Sequence, residues 1–293
     1  MNMKRLIALA LALVLSLALA ACGSGAAPSP SASAPAESST APAESAPAES
    51  ASAESDLDYV KGKGALVIGY TVYAPMNYTD DNGEFTGFDT ELAKAVCEKL
   101  GVEPQFQEIV WETKEIELAG KTIDCIWNGM TLDPEREANM ACTVPYVKNA
   151  QVVVMKADAD YADTSSLIGK SVCAEVGSAG ETQILGNEET KPDANLAQAD
   201  YVGKSVQTDC LMEVAAGTCD AAVLDMTLAN AMIGEGTDYA GLKIVDELAV
   251  ENYGVAFRQG SDVRDAVNEI FAEMVADGSL GALADKYGLE LAD

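Results

Sequence analysis

The sequence of 293 residues contains no histidine. Histidine titrates nearest to neutral pH and is the commonest nitrogen ligand of protein-bound metals. Its absence excludes a histidine-based catalytic triad and a histidine-ligated metal site, and we expect no cofactor.

Basic residues are also scarce. The chain has 18 lysines and arginines against 47 aspartates and glutamates, which gives a formal net charge of −29. Such a charge repels nucleic-acid backbones and anionic lipid surfaces. We therefore expect no nucleic-acid partner.

Long apolar runs are absent except at the N-terminus. Lys4 and Arg5 precede an apolar run over 6–21 that ends in Leu19-Ala20-Ala21-Cys22. A basic region, an apolar core and small residues before a cleavage point indicate a secretory signal. The ending resembles a bacterial lipobox, which predicts a lipoprotein signal peptide over 1–22 and attachment of lipid, including palmitate, to Cys22. An uncleaved membrane helix is the alternative, although the run is short for a span.

Residues 23–55 lack large apolar side chains. They consist of Gly, Ser, Ala, Pro, Glu and one Thr, and an Ala-Pro-Ala-Glu-Ser unit recurs at 34–38, 41–45 and 46–50. Such a composition cannot form a core, and proline with like charge keeps it extended. We predict a disordered Ala/Pro/Ser/Glu stalk over 23–55.

Six cysteines follow Cys22, and an even number in an exported chain is typical of disulfides. Their neighbours are apolar, however, as is usual for small buried thiols. We interpret them as mostly free and buried, with Cys210–Cys219 as the alternative bridge. The six are Cys97, Cys125, Cys142, Cys173, Cys210 and Cys219.

Strand and helix patterns alternate from residue 65 onward. The first half predicts strands over 65–70, 105–110 and 123–127, helices from Asp89 to Gly101 and over 113–118, and a hairpin turn over 80–84. Alternation of this kind indicates an α/β fold with a mostly parallel sheet, whose ligands bind beyond the carboxyl ends of the strands. Tyr73, Trp111 and residues 128–131 fall at such ends.

The segment 126–136 carries the most informative group of these residues. Its strand is predicted to break at Asn128-Gly129, and Pro134 suits the first turn of a helix. Gly129 permits close backbone approach and Thr131 offers a hydroxyl. Arg136 presents a planar charged fork that matches a carboxylate. This pattern predicts one half of a clamp for a small carboxylate ligand, whereas an ordinary surface arginine is the alternative.

The alternation restarts in the second half of the chain. A strand over 170–175 leads through Gly177 to Gly180 into a helix, and the exposed N–H groups there suit an anion, although a plain strand–helix turn is equally compatible. Helices are predicted over 207–216 and from Val263. The strand 220–225 ends on Asp225, which could accept from a ligand ammonium or cap a helix.

Seven pieces of the chain, taken in order, resemble the family-3 solute-binding proteins of amino-acid ABC importers. They are Tyr73-Ala74-Pro75, Gly87-Phe88-Asp89 with Leu92-Ala93-Lys94-Ala95, Asp124 to Arg136, Pro145-Tyr146, Gly177-Ser178, Asp220 to Asp225, and Tyr253-Gly254-Val255-Ala256. The resemblance covers about residues 65–288, and with the lipobox and stalk it is similar to the membrane-anchored form of Gram-positive bacteria.

The resemblance implies a two-lobed periplasmic-binding-protein-like fold with two hinge crossovers. Lobe 1 is then 57–148 completed by 248–293, and lobe 2 is 149–247, with hinges near 148–151 and 246–250. It implies a monomeric, non-enzymatic receptor, anchored by lipid on the outer face of the cell membrane. Its partners are a free amino acid and the permease and ATPase subunits of an ABC importer.

The same resemblance implies roles for individual residues. Arg136 clasps the α-carboxylate, assisted by Thr131, the Gly129 backbone, Ser178 and the Ala179 N–H, and Asp225 takes the α-ammonium. Tyr73 and Trp111 line the pocket around the ligand side chain, with Asn128 and Trp127 nearby.

Ligand identity and two further functions stay open. A polar amino acid or cystine is favoured, and Glu175, if it faces the pocket, disfavours Glu and Asp. A ligand-binding sensor subunit is one alternative. A dehydratase-like enzyme on the same fold is another, in which Asp225, Glu175 or Glu251 acts as acid or base.

Overall fold

A computed structural model describes residues 55–293. The signal peptide over 1–22, the lipidated Cys22 and the stalk up to residue 54 lie outside the described residues. Ser55, assigned above to the stalk, instead caps the first helix, because its hydroxyl accepts the N–H of Asp58 at 3.0 Å. Within the described residues, no helix is both long and apolar enough to cross a membrane.

The described residues form eleven strands and nine α-helices. The strands are β1 Ala65–Tyr70, β2 Tyr78–Thr79, β3 Phe85–Thr86, β4 Glu103–Glu108, β5 Cys125–Thr131, β6 Ala141–Cys142, β7 Val147–Lys156, β8 Ser171–Glu175, β9 Asp200–Lys204, β10 Ala221–Asp225 and β11 Leu242–Phe257. The helices are α1 Asp56–Lys63, α2 Phe88–Leu100, α3 Lys114–Ala119, α4 Pro134–Asn139, α5 Ala179–Leu185, α6 Gln207–Ala216, α7 Met226–Met232, α8 Val263–Ala276 and α9 Ser279–Tyr287. Short 3₁₀ turns include Trp111–Thr113.

Two long strands in the middle of the sheet join its halves. The order is β4-β1-β5-β11-β7-β10-β8-β9, and β6 pairs with β11. The pairs β1–β4, β1–β5, β8–β10 and β8–β9 are parallel, whereas β7 and β11 pair antiparallel with their neighbours. The predicted α/β fold, with two lobes and two crossing segments, is confirmed.

The paired strands β7 and β11 contain both segments predicted as hinges. Their register runs from Leu242 opposite Lys156 to Tyr253 opposite Val147. The register shifts between Ile244 and Asp246 and again between Glu247 and Ala249. These irregularities coincide with the expected hinge at 246–250, and the hinge role and the lobe boundaries stay predictions.

Helix α2 shows how the apolar pattern becomes packing. Leu92, Ala93 and Val96 are fully buried, and Gly101 ends the helix in the left-handed conformation, as predicted. Asp89 does not cap this helix, because Gly87 occupies the N-cap position and the Asp89 carboxylate points into the core. There it accepts the Gly129 N–H at 2.6 Å and the Tyr146 hydroxyl at 2.8 Å.

Strand β5 differs from its prediction in a way that matters for the site. It does not end at Asn128-Gly129 but continues to Thr131. Strand β11 pairs with Cys125 and Ile126 and again with Met130 and Thr131, and the register shifts between these two pairs. Gly129 takes φ of 55° within the strand. Pro134 opens α4 as predicted, and Asp133 caps it by accepting the Arg136 N–H at 2.8 Å.

The cysteines agree with the interpretation as free thiols. All six described cysteines are unpaired, and five of them are buried. The Cys210–Cys219 bridge is absent from the described residues. Burial raises the pKa of the Cys97 and Cys219 thiols to about 12. These thiols therefore act as small apolar core groups.

Candidate functional site

One enclosed cavity gathers residues from both predicted lobes. Lobe 1 contributes the end of β5, helix α4 and the 3₁₀ turn, and lobe 2 contributes the carboxyl ends of β8 and β10 with the starts of α5 and α6. The lining residues are Trp111, Asn128, Gly129, Thr131, Arg136, Glu175, Ser178, Ala179, Gln207 and Asp225. Eight of the nine ligand-binding residues predicted from sequence are in this set.

The cavity is narrow, with a volume of about 10 Å³, close to the minimum that holds one water molecule. A free amino acid therefore fits only if the lobes separate or the lining side chains rearrange.

A wider open groove of about 500 Å³ lies beside the paired strands β7 and β11. Lys148, the basic residue that lines it, is already paired with Glu290 at 2.8 Å and with Asp293 at 3.1 Å. The smaller cavity concentrates buried polar groups, so we place the candidate site there.

Arg136 is buried, and its guanidinium reaches both lobes. Nη1 donates to the carbonyl of Thr131 at 2.8 Å, and Nε pairs with Asp133 at 3.2 Å. Nη2 donates across to the carbonyl of Gly177 at 3.1 Å. Only 6% of Arg136 is exposed to solvent, which excludes the alternative of an ordinary surface arginine.

Lys114 provides a second cation at the same crossing point. Its ammonium donates to the carbonyls of Gly177 at 3.0 Å and of Trp111 at 3.3 Å. Burial lowers the Lys114 pKa to about 8, and the nearby Arg136 charge adds to this effect. Gly177 has φ of 75°, and a Cβ there would come within 3.3 Å of Glu112 Cα, so glycine allows the close approach of the lobes.

Asp225 lies opposite, at the end of β10, and its carboxylate is held by three amide groups. Oδ1 accepts from Asn149 Nδ2 at 3.0 Å and from Gln151 Nε2, and Oδ2 accepts from Gln207 Nε2. Burial raises the Asp225 pKa, and these hydrogen bonds oppose the rise. Asp225 also occupies the N-cap position of α7, as the alternative expected, but its side chain makes no cap hydrogen bond there.

Glu251 on β11 provides a second, half-buried carboxylate beside Asp225. Its Oε1 accepts from Thr131 Oγ1 at 2.8 Å, Asn149 Nδ2 at 2.6 Å and Gln151 Nε2 at 2.8 Å. The Glu251 pKa is raised to about 7, mainly by burial and then by the negative charge of Asp225. Asn149 and Gln151 on β7 therefore each donate to both carboxylates, Asp225 on β10 and Glu251 on β11.

The polar groups of three further predicted residues are also engaged within the protein. The Gly129 N–H is bound to Asp89, so it is not free to assist a ligand carboxylate, contrary to the expected role of this backbone group. The Asn128 amide exchanges hydrogen bonds with Thr71, at 3.1 Å to its N–H and 2.7 Å to its hydroxyl. Ser178 caps α5, because its Oγ accepts the Glu181 N–H at 3.1 Å.

Tyr73 lies behind the cavity wall and does not line it. It is 3% exposed, and its hydroxyl lies 2.5 Å from the Tyr253 hydroxyl. Burial raises the Tyr73 pKa well above its usual value, and the negative charge of Asp225 contributes. The structure therefore gives Tyr73 a place beside Asp225, next to the cavity rather than in its lining. Trp127, expected nearby, is fully buried in the core against Phe271.

Four polar residues around the carboxylates were not predicted as site residues. They are Lys114, Asn149, Gln151 and Gln207. Gln207 begins α6, just after the carboxyl end of β9. The rule that ligands bind beyond such ends could have identified it from sequence. The other three depend on contacts between distant segments.

Comparison with known proteins identifies the family. Residues 66–290 match the model of the bacterial extracellular solute-binding proteins, family 3. The chain belongs to this family. The match spans both halves of the sheet, so the cavity lies within the family's own fold.

Individual relatives within family 3 cover most of the chain. The arginine-binding extracellular protein ArtP of Bacillus subtilis is 29% identical over 228 residues, 77% of this chain and 87% of ArtP. The L-cystine-binding protein TcyJ of Escherichia coli K12 is 29% identical over 236 residues, 79% of this chain and 85% of TcyJ. An ABC uptake transporter substrate-binding protein from Streptococcus pneumoniae, solved with bound histidine, superposes with a TM-score of 0.69 at 28% identity, covering 78% of this chain and 95% of that protein.

Proposed function

We propose that this protein binds a free amino acid between its two lobes and delivers it to an ABC importer, its permease and ATPase. The observation that carries the proposal is that Arg136 and Asp225, which come from opposite halves of the sheet, line one cavity. The relatives named as arginine-binding and cystine-binding proteins, and the one solved with histidine, support an α-amino acid as ligand.

The charges of the two residues match a zwitterion. Arg136 offers a fork for the α-carboxylate, and Asp225 offers a carboxylate for the α-ammonium. A zwitterion loses strong hydration on burial, so each end needs an opposite charge in the site. Thr131 contacts Arg136 through its carbonyl, and its hydroxyl donates to Glu251. Trp111 contributes an apolar wall for the ligand side chain.

The positions of Arg136 and Asp225 also mean that a bound ligand stabilises the closed form. A ligand that touches both Arg136 and Asp225 gains contacts in the closed form that the open form lacks. The guanidinium and the Gly177 carbonyl already meet across the lobes at 3.1 Å. We infer that the segments 148–151 and 246–250 act as hinges and that the lobes divide as 57–148 with 248–293, and 149–247.

The composition of the N-terminal segment supports a receptor anchored at a membrane surface. We infer cleavage before Cys22, lipidation of that cysteine and tethering through the stalk 23–54, on the outer face of a Gram-positive cell. The folded part acts as a monomer in this proposal. The named relatives are binding proteins, which supports a receptor over a dehydratase-like enzyme.

Thermal unfolding with a panel of the twenty amino acids and cystine tests the proposal. A ligand at a hundredfold excess over its Kd should stabilise the protein by about 2.7 kcal/mol. Arg136→Ala should abolish the shift for every α-amino acid, because the ligand carboxylate then lacks its partner. Arg136→Lys keeps the charge but loses the fork, and it should bind at least about tenfold more weakly.

The matched control is Arg264→Ala, which removes a half-exposed arginine of α8 that pairs with Asp265 outside the cavity. It should leave the ligand-induced shift unchanged. Two results would each refute the proposal: no amino acid stabilises the wild-type protein, or binding survives Arg136→Ala undiminished.

A further inference from the structure

Glu175 is a buried carboxylate of the cavity that the zwitterion clamp does not use. It ends β8, is 3% exposed and lines the cavity together with Ser178 and Gln207. Its Oε1 has no hydrogen-bond partner among residues 55–293. An unpartnered buried carboxylate oxygen is costly unless something else pairs with it.

The surroundings of Glu175 disfavour its negative charge in the ligand-free protein. The groups that act on it are the Asp225 carboxylate, the Lys114 ammonium, the Arg136 guanidinium and the Gln207 amide. The Glu175 pKa is raised to about 8. Burial is the main cause and the Asp225 charge adds to it, whereas the two cations and the amide oppose the rise. A cation placed against this carboxylate would restore its ionised form.

The formal charges around the cavity favour a cationic ligand. The cations are Lys114 and Arg136, and the carboxylates are Glu175, Asp225, Glu251 and Asp133, which pairs with Arg136. With all six groups ionised, two negative charges are in excess. A neutral zwitterion leaves that excess unchanged, and an acidic amino acid increases it. An amino acid with a cationic side chain halves it.

We propose that the ligand is an α-amino acid with a cationic side chain, such as arginine, lysine or ornithine, and that the Glu175 carboxylate receives that side chain. This inference rests on the proposed function, since it takes Arg136 and Asp225 to hold the α-carboxylate and the α-ammonium. Glu175 then sets specificity at the third point of the site.

The indole ring of Trp111 on the cavity wall suits the same ligand, because such rings attract a guanidinium or ammonium. The Lys114 ammonium, 4.8 Å from the ring centroid, is one cation held in this way. The Gln207 amide is already hydrogen-bonded to Asp225 at both ends. An anionic side chain would instead leave Glu175 unpaired and repelled, so Glu and Asp should be rejected.

Titration calorimetry with arginine and citrulline tests the inference directly. The two differ in replacing a charged guanidinium with a neutral ureido group of nearly the same shape. Wild-type protein should bind arginine at least about thirtyfold more tightly, because a buried charge pair is lost with citrulline. Glu175→Gln should reduce this preference to less than about threefold, and Glu98→Gln, an exposed glutamate of α2, should leave it unchanged.

A second measurement needs no variant. Titrations of arginine at pH 7 in buffers of different ionisation enthalpy should show release of close to one proton per ligand, because binding ionises the neutral Glu175 carboxyl. Glu175→Gln should lose most of this release. Citrulline should cause little release with wild-type protein.

The outcomes separate the two proposals. If no amino acid binds wild-type protein, the amino-acid receptor itself is refuted. If amino acids bind but citrulline or cystine binds as tightly as arginine, only the cationic side-chain inference falls. The same holds if Glu175→Gln keeps the full preference for arginine.

Discussion

At the scale of single residues, Glu251 couples stability to pH. Its pKa is raised to about 7 by burial and then by Asp225. In the unfolded chain it ionises near the usual value for glutamate, so between pH 5 and 7 the folded state holds the proton more tightly. Stability from this group is therefore fully present at low pH and falls as pH rises through 7.

We expect Glu251→Gln to remove part of this loss, since a neutral amide has nothing to ionise. Relative to the variant, wild-type protein should lose on the order of 1–3 kcal/mol of unfolding free energy between pH 5 and 8. Urea denaturation without ligand at each pH measures the difference. Glu98→Gln is the control, and parallel pH curves for wild type and Glu251→Gln would contradict the assignment.

Sequence could predict the site residues that depend on local patterns, but not those that depend on contacts between distant segments. Arg136 and Asp225 end or follow strands, so a local pattern and the rule of carboxyl ends bring them to one cavity. Asn149 and Glu251 face each other only because β7 and β11 pair in a particular register. That register joins segments about a hundred residues apart, which no local pattern fixes.

At the scale of elements, Gly129 lets strand β5 pass close to two buried tyrosine rings next to the cavity. It has φ of 55°, and a Cβ at this position would lie 2.8 Å from Tyr73 and 3.1 Å from Tyr253. An alanine therefore strains the backbone and displaces two buried rings. We expect Gly129→Ala to lower the free energy of unfolding by about 2–4 kcal/mol.

Gly281 within α9 is the matched control for that substitution. A Cβ there has nothing within 4 Å, and its φ is not positive. Gly281→Ala should stabilise by about 0.5–1 kcal/mol, because it lowers the entropy of the unfolded chain. Urea denaturation compares the two variants, and equal midpoints for both would show that Gly129 has no special conformation.

The element boundaries were predictable where the signal is local. Pro134 at the start of α4, Gly101 at the end of α2 and the turn between β2 and β3 follow from residue chemistry and are found as expected. The predicted end of the strand at Asn128-Gly129 was wrong, because pairing with β11 resumes at Met130; the local signal instead coincides with a shift of register. Helices α1 and α9 were not predicted.

At the scale of the whole molecule, the order of strands was not predictable from alternation alone. Alternation predicts parallel pairs such as β1–β4 and β8–β9, and these are found. The two antiparallel strands β7 and β11, which connect the halves, follow only from the family resemblance. In the proposed function, the halves move about these two strands, which join them into one sheet.

Closure itself is testable through the Gly177 carbonyl, which accepts hydrogen bonds from both Arg136 and Lys114. Lys114→Met keeps the length and apolar stem but removes one of these donors. Since a hydrogen bond from a charged group contributes about 1.5–3 kcal/mol, the closed form should lose population.

We expect the ligand-free Lys114→Met protein to show a larger radius of gyration in small-angle X-ray scattering than wild type. Saturating ligand should return it to the wild-type value, at a Kd raised about 3- to 30-fold, because closing the lobes then costs part of the binding free energy. Lys61→Met, at an exposed lysine of α1, is the control. Unchanged scattering together with unchanged affinity would mean that this contact does not hold the lobes together, and that closure depends on the ligand and the crossing strands alone.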